Sequence, residues 1–200
     1  MKDEQSLSLV VTCIDGSKTA FEQPDYEAAV KLVGQLDPGR VFSNPFINVD
    51  DRRSLTVFPS GAIVRIDLVS DLVVDWDFHL GIHDAYEITI DDFERLADRD
   101  RAKQVQSETH VTILAAIEMA NADPVFFALV LNEQQEQMIQ ADFGMLLQRF
   151  LSASSFHGRK LGGGRIIVNS RHIVRLQFHP CPPEPQKSAW NVEPINRMSG

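Results

Sequence analysis

The chain has 200 residues, 44% of them hydrophobic and 24% charged, with a formal net charge of −9. That composition belongs to a packed globular protein. The acidity argues against a protein whose main ligand is a phosphate backbone, because such binders cluster Lys and Arg.

The first predicted element is a β-rich run, Ser8 to Ile14, ended by the hairpin signal Asp15-Gly16. Lys18 to Glu22 reads as its return strand. Asp25 is a predicted N-cap. Tyr26, Ala29, Val30, Val33 and Leu36 then follow at helical spacing, and Asp37-Pro38-Gly39 stops the helix. A loop or extra strand over Val41–Val49 leads to a strand at Leu55–Phe58, a turn at Pro59-Ser60-Gly61 and a strand over Ile63–Val69. Period-two alternation predicts that Val64, Ile66 and Leu68 share one face, with Arg65 and Asp67 on the other, and likewise Val174, Leu176 and Phe178 against Arg175 and Gln177.

A similar order recurs from Val125. Val125–Leu131 is an apolar strand, Asn132-Glu133 a turn and Gln137–Gln140 a return strand. Asp142 then stands where Asp25 stood. Phe143, Leu146, Leu147, Phe150 and Ala153 repeat the first helical face at a constant offset of 117 residues. A glycine-rich loop over Gly158–Gly164, a strand over Arg165–Val168, a turn and a closing strand over His172–His179 complete the set. The segment from Ser170 to Phe178 matches that from Ser60 to Leu68 at an offset of 110. These matches predict an internal duplication of a β-β-α-β(β) unit. The fold class is α+β with a mainly antiparallel sheet, a pseudo-twofold and helices on one face. Residues 1–70 form the first unit, 71–124 an insert, 125–179 the second unit and 180–200 a Pro-rich tail.

In the insert, Val74, Trp76, Phe78, Leu80 and Ile82 alternate with polar residues, which predicts a strand. Glu87–Ile90 extends the sheet. Asp91, with Glu94 as its box partner, is predicted to cap a charged helix over residues 92–106. His110–Met119 fits strand or helix, and strand is preferred, paired with Val125–Leu131. The tail carries Pro180, Pro182, Pro183, Pro185 and then Trp190, a candidate anchor for a protein partner. The charged start, Met1 to Gln5, does not read as a signal or transit peptide, and no run approaches the roughly 20 apolar residues of a membrane span. Two cysteines, Cys13 and Cys181, make no disulfide framework. Cytoplasmic localisation and no membrane insertion are the expectations.

Three sets of residues are candidate sites. Asp75, Asp77, His79 and His83 combine metal-ligand types. Along a strand, though, the two histidines would stand about 13 Å apart, at about 3.3 Å per residue, so a polar strand face explains them as well. Arg65 and Arg175, on matching strands, and Arg159, Lys160 and Arg165, in the glycine-rich loop, could bind an anion or form ordinary ion pairs. That loop is followed by a β-run instead of the helix a phosphate cradle needs. No motif names a catalytic residue or a cofactor. The expected function is a non-catalytic binding or assembly protein, a homo-oligomer or part of a larger assembly. A metal-assisted hydrolase using Asp75, Asp77 and His79 is one alternative, and a nucleic-acid-binding module through residues 158–165 is another.

Overall fold

The computed structural model describes residues 6–72, 76–78, 82–100, 110–132 and 143–179. In chain order its strands are β1 (Leu7–Cys13), β2 (Lys18–Gln23), β3 (Phe46–Asp50), β4 (Leu55–Pro59), β5 (Ile63–Val69), β6 (Asp84–Ile88), β7 (His110–Met119), β8 (Ala122–Asn132), β9 (Ser155–Arg159), β10 (Arg165–Asn169) and β11 (Ile173–His179). The helices are α1 (Tyr26–Gln35), α2 (Ile90–Asp100) and α3 (Phe143–Ser152). Nine strands form one sheet in the order β11-β7-β8-β6-β9-β10-β5-β1-β2, and β3 and β4 form a separate hairpin. Every ladder is antiparallel except the short contact of β6 with β9. The α+β class and the mainly antiparallel sheet expected from the sequence are therefore present. Among the described residues, no helix is long and apolar enough to cross a membrane.

Strands β5 and β11 are built alike. Each follows a 3-10 turn, Ser60–Ala62 or Ser170–His172, and each pairs with the first strand of a hairpin. Cys13 opposes Ile63 and Thr12 opposes Arg65, so Val64 is an extra, unpaired residue. Met119 opposes Ile173 and Glu118 opposes Arg175, which leaves Val174 extra in the same way. The Ile14 N–H donates to the Ala62 carbonyl at 2.8 Å, and the Ala120 N–H donates to the His172 carbonyl at 3.0 Å.

A bulge of this kind breaks simple alternation. Ile63, Ile66 and Leu68 lie in one core with Val11, Ala29, Val33, Phe42, Phe58 and Ile167, whereas Val64 lies in another. Likewise Leu176 and Phe178 pack on a core with Ile173, while Val174 is 71% exposed. The expected common face of Val64 with Ile66, and of Val174 with Leu176, is corrected by that one extra residue.

The second core gathers Val64, Ile113, Ala115, Ile117, Val125, Phe127, Leu129, Phe150, Phe156, Ile166 and Val168. Ile166 and Ile167 are neighbours on one strand and enter different cores. Helix α1 and helix α3 therefore cover opposite faces of the sheet at that strand, not one face. The buried stripe of α1 is Ala29 and Val33 flanked by Leu32 and Leu36, and Tyr26 and Val30 are left outside. Asp25 caps α1 as expected, accepting from the Ala28 N–H at 2.8 Å. Helix α2 is capped by Thr89, not Asp91. The Thr89 hydroxyl oxygen accepts from the Asp92 N–H, and the hydroxyl donates to the Asp92 carboxylate. A third, smaller core joins Phe93 of α2 to Leu114, Ala116 and Ala128.

His110–Met119, expected inside the insert, is a strand that pairs with both β8 and β11. The expected return strand at Gln137–Gln140 and the N-cap Asp142 lie outside the described residues, as do Val74 and Leu80. The described part of 71–83 is not strand, although Trp76 and Phe78 are half-buried and Asp77 is exposed, as alternation predicts. Gly158 belongs to β9 and not to the loop. A Cβ there would collide with the Phe127 ring, so the core itself needs glycine at this position.

Candidate functional site

The hairpin β9–β10 enters the sheet between β6 and β5, and its side chains build a polar seam inside the protein. Its strands are buried on both faces, so even Arg165, His157, Ser155 and Asn169 are hidden from solvent. The Asn169 side-chain amide donates to the Ser60 and Ile63 carbonyls at 3.1 and 2.8 Å. The Ser154 hydroxyl donates to the Gly39 carbonyl at 2.6 Å, and the Ser155 hydroxyl donates to the Pro38 carbonyl. These donors tie β9–β10 to the loop and turn beside α1 and β5. Paired this way, buried polar groups avoid the cost of unmet hydrogen bonding.

Two aromatic residues of the 71–83 segment close over the same seam. The Phe78 ring stacks on the His157 imidazole with centroids 5.2 Å apart, and the Trp76 ring meets it edge-on at 5.7 Å. The Arg165 guanidinium carbon stands 5.2 Å from the Phe78 ring centre and 5.8 Å from that of Trp76. A desolvated cation over aromatic faces gains about 2 kcal/mol. His157 and Arg165 thus anchor a segment onto the sheet.

On the opposite face a charge cluster forms at the end of β5. Arg65 Nε lies 2.8 Å from one oxygen of Asp67, and Lys160 Nζ lies 2.9 Å from the other. Lys160 also stands 3.6 Å from Glu87 on β6, whose carboxylate accepts from the Leu161 N–H at 2.9 Å. Two cations and two carboxylates leave no net charge. Arg159 donates to Asp84 at 2.9 Å, and Arg175 donates to Glu118 across the β7–β11 ladder. Of the five cations singled out from the sequence, Arg65 and Lys160 share Asp67, while Arg159 and Arg165 stand directly opposed on the β9–β10 ladder. Arg175 lies on β11, with five strands between it and β5. The ion pair of Arg65 with Asp67 is the one expected from their shared strand face, whereas Glu87 went unrecognised because its partner Lys160 comes from a loop distant in sequence.

Of the metal-ligand candidates, Asp77 and His83 are exposed, and Asp75 and His79 lie outside the described residues. Among the described residues no group of three or more His, Cys, Asp or Glu side chains could hold a metal ion. Trp190 also lies outside the described residues, and Cys13 is free and half-buried.

The remaining candidate is a surface. The hairpin β3–β4 turns Ile47, Val49 and Phe58 into the first core and presents Phe46, Leu55, Val57 and Pro59 outward. Leu55 is 62% exposed, and Phe46 and Val57 are each 51% exposed. Cross-strand pairing sets Phe46 beside Pro59, Asn48 beside Val57 and Asp50 beside Leu55, so the outward face is mainly apolar with two polar residues along β3. Set against protein-family models, curated proteins and solved structures, the chain finds no match in any of the three.

Proposed function

We propose that this chain is a non-catalytic binding or assembly protein of the cytoplasm, working through a duplicated α+β scaffold and a Pro-rich tail. Several paired features support the duplication. Helix Tyr26–Gln35 corresponds to Phe143–Ser152, hairpin β3–β4 to β9–β10, and strand β5 to β11. The two bulges skip Val64 and Val174 alike, and the Ser60 and Ser170 N–H groups donate to the carbonyls of Pro45 and Ser154. On this reading the second unit begins with β7 at His110, earlier than Val125, and the insert shortens accordingly. The relation is not a twofold, since β10 pairs with β5 while β4 pairs only with β3 among the described residues.

The observation that carries an assembly role is the outward apolar face of β3–β4. Its counterpart β9–β10 is buried on both faces, whereas β3–β4 keeps one face in solvent. The tail with Trp190 adds a second contact for a partner. No specific observation favours the hydrolase or the nucleic-acid reading. Sedimentation of the wild type, a Leu55→Glu/Val57→Glu variant and a chain lacking residues 181–200 tests the proposal. The wild type should associate, the double variant should lose association with its fold intact, and the truncation should weaken it. Identical monomeric behaviour of all three would sink it.

A further inference from the structure

We infer that copies of this chain join head to tail, β11 of one copy lying antiparallel along the free edge of β4 in the next. The inference rests on the duplicated-scaffold reading and specifies which of its surfaces meet. Within one chain the second hairpin already makes such a seam. Strand β10 pairs with β5, Arg165 opposite Leu68 and Ile167 opposite Ile66. One face of that hairpin supplies Phe156, Ile166 and Val168 to its own core, and the other supplies Ile167 to the neighbouring core. The corresponding strands are β4 for β10 and β11 for β5. Among the described residues β4 pairs only with β3, and β11 is an end strand of the nine-stranded sheet. Both sides of a second seam are thus present on every copy and are not joined within it.

Carrying the register across sets Leu55 opposite Phe178, Thr56 opposite Gln177, Val57 opposite Leu176 and Phe58 opposite Arg175. Leu55 and Val57, more than half exposed, correspond to Arg165 and Ile167, which are 1% and 0% exposed. Their new neighbours Leu176 and Phe178 are half-buried and already pack on the second core. Apolar surface therefore meets apolar surface, which favours association in proportion to the area covered. The seam also continues the existing sheet past its end strand and covers two strand edges that no other strand pairs among the described residues. Two different surfaces meet, so the contact is heterologous and builds a ring or a filament instead of a closed pair. One difference sets its strength. Ser154, Ser155 and Asn169, the donors of the in-chain seam, correspond to Pro45, Phe46 and Pro59. The intermolecular seam is consequently more apolar, weaker and concentration-dependent.

Cross-linking tests the register. In a Cys13→Ala/Cys181→Ala background, Val57→Cys and Leu176→Cys are placed in separate proteins. Directly opposed residues of an antiparallel pair have Cα atoms about 4.5–5.5 Å apart, within disulfide reach. Oxidising the mixture should give covalent dimers that neither protein gives alone. Thr56→Cys with Gln177→Cys should do the same at an exposed β11 position, so a folding defect at Leu176 does not blunt the test. Association by sedimentation with no mixed disulfide in either pair overturns the β4–β11 seam and leaves the assembly reading standing. Equal cross-linking by the off-register pair Val57→Cys and Gln177→Cys overturns it as well. So does a protein that stays monomeric across a concentration series.

Discussion

At Asp67 a carboxylate with a side chain only 4% exposed is held between Arg65 and Lys160. Such a group is tolerable in the interior because both oxygens have cationic partners. Removing the negative charge leaves two cations facing each other at the edge of a core. Asp67→Asn should therefore lower unfolding free energy by about 3 kcal/mol, measured by urea titration. Lys160→Met should cost less, since Arg65 still neutralises Asp67. Equal, negligible losses would mean the cluster is solvent-screened. The sequence made Arg65 and Lys160 visible as cations, but it placed them in two separate candidate anion sites. Only the return of the β9–β10 loop onto β5 made them one neutral group.

Among the elements, α2 shows how a cap is misread. Asp91 with Glu94 fits the capping-box spacing, and so does Thr89 with Asp92. The chain uses the second, starting the helix two residues earlier. Thr89→Ala should destabilise by about 1 kcal/mol, while Asp91→Ala should stay within about 0.5 kcal/mol, by thermal unfolding. Reversed magnitudes would restore Asp91 as the cap. The Asp92 carboxyl is held below its ordinary 3.8, first by its hydrogen bond with Arg95 and then by that with Thr89. Its contribution is thus complete above the unfolded value and fades as pH falls through the lower folded one. The helix start loosens in acid, not in base. The bulges in β5 and β11 belong to the same scale. A strictly alternating pattern cannot announce an extra residue, because Val64 and Val174 are as apolar as the neighbours they displace.

For the whole molecule, the decisive event is the entry of β9–β10 between β6 and β5. Ile167 completes the first core while Ile166 and Val168 complete the second, so neither core closes without this hairpin. Thermal unfolding should then be a single transition with matching calorimetric and van't Hoff enthalpies. Asn169→Leu, which strands the Ser60 and Ile63 carbonyls, should lower that one transition by about 1–3 kcal/mol. Two separable transitions would contradict this shared-core architecture.

The sequence by itself determined the local matters: most strands and helices, the Asp25 cap, the α+β class and the resemblance of the closing strands. Those follow from short-range periodicity and from turn chemistry, which neighbouring residues carry among themselves. Tertiary structure alone decided which strands became neighbours, which side of the sheet each helix covers, and why Arg165 and His157 are interior. It also decided that β3–β4 keeps an apolar face in solvent while β9–β10 does not. These are long-range pairings, fixed by which edges and faces remain open once each hairpin has formed, and no local pattern encodes that choice.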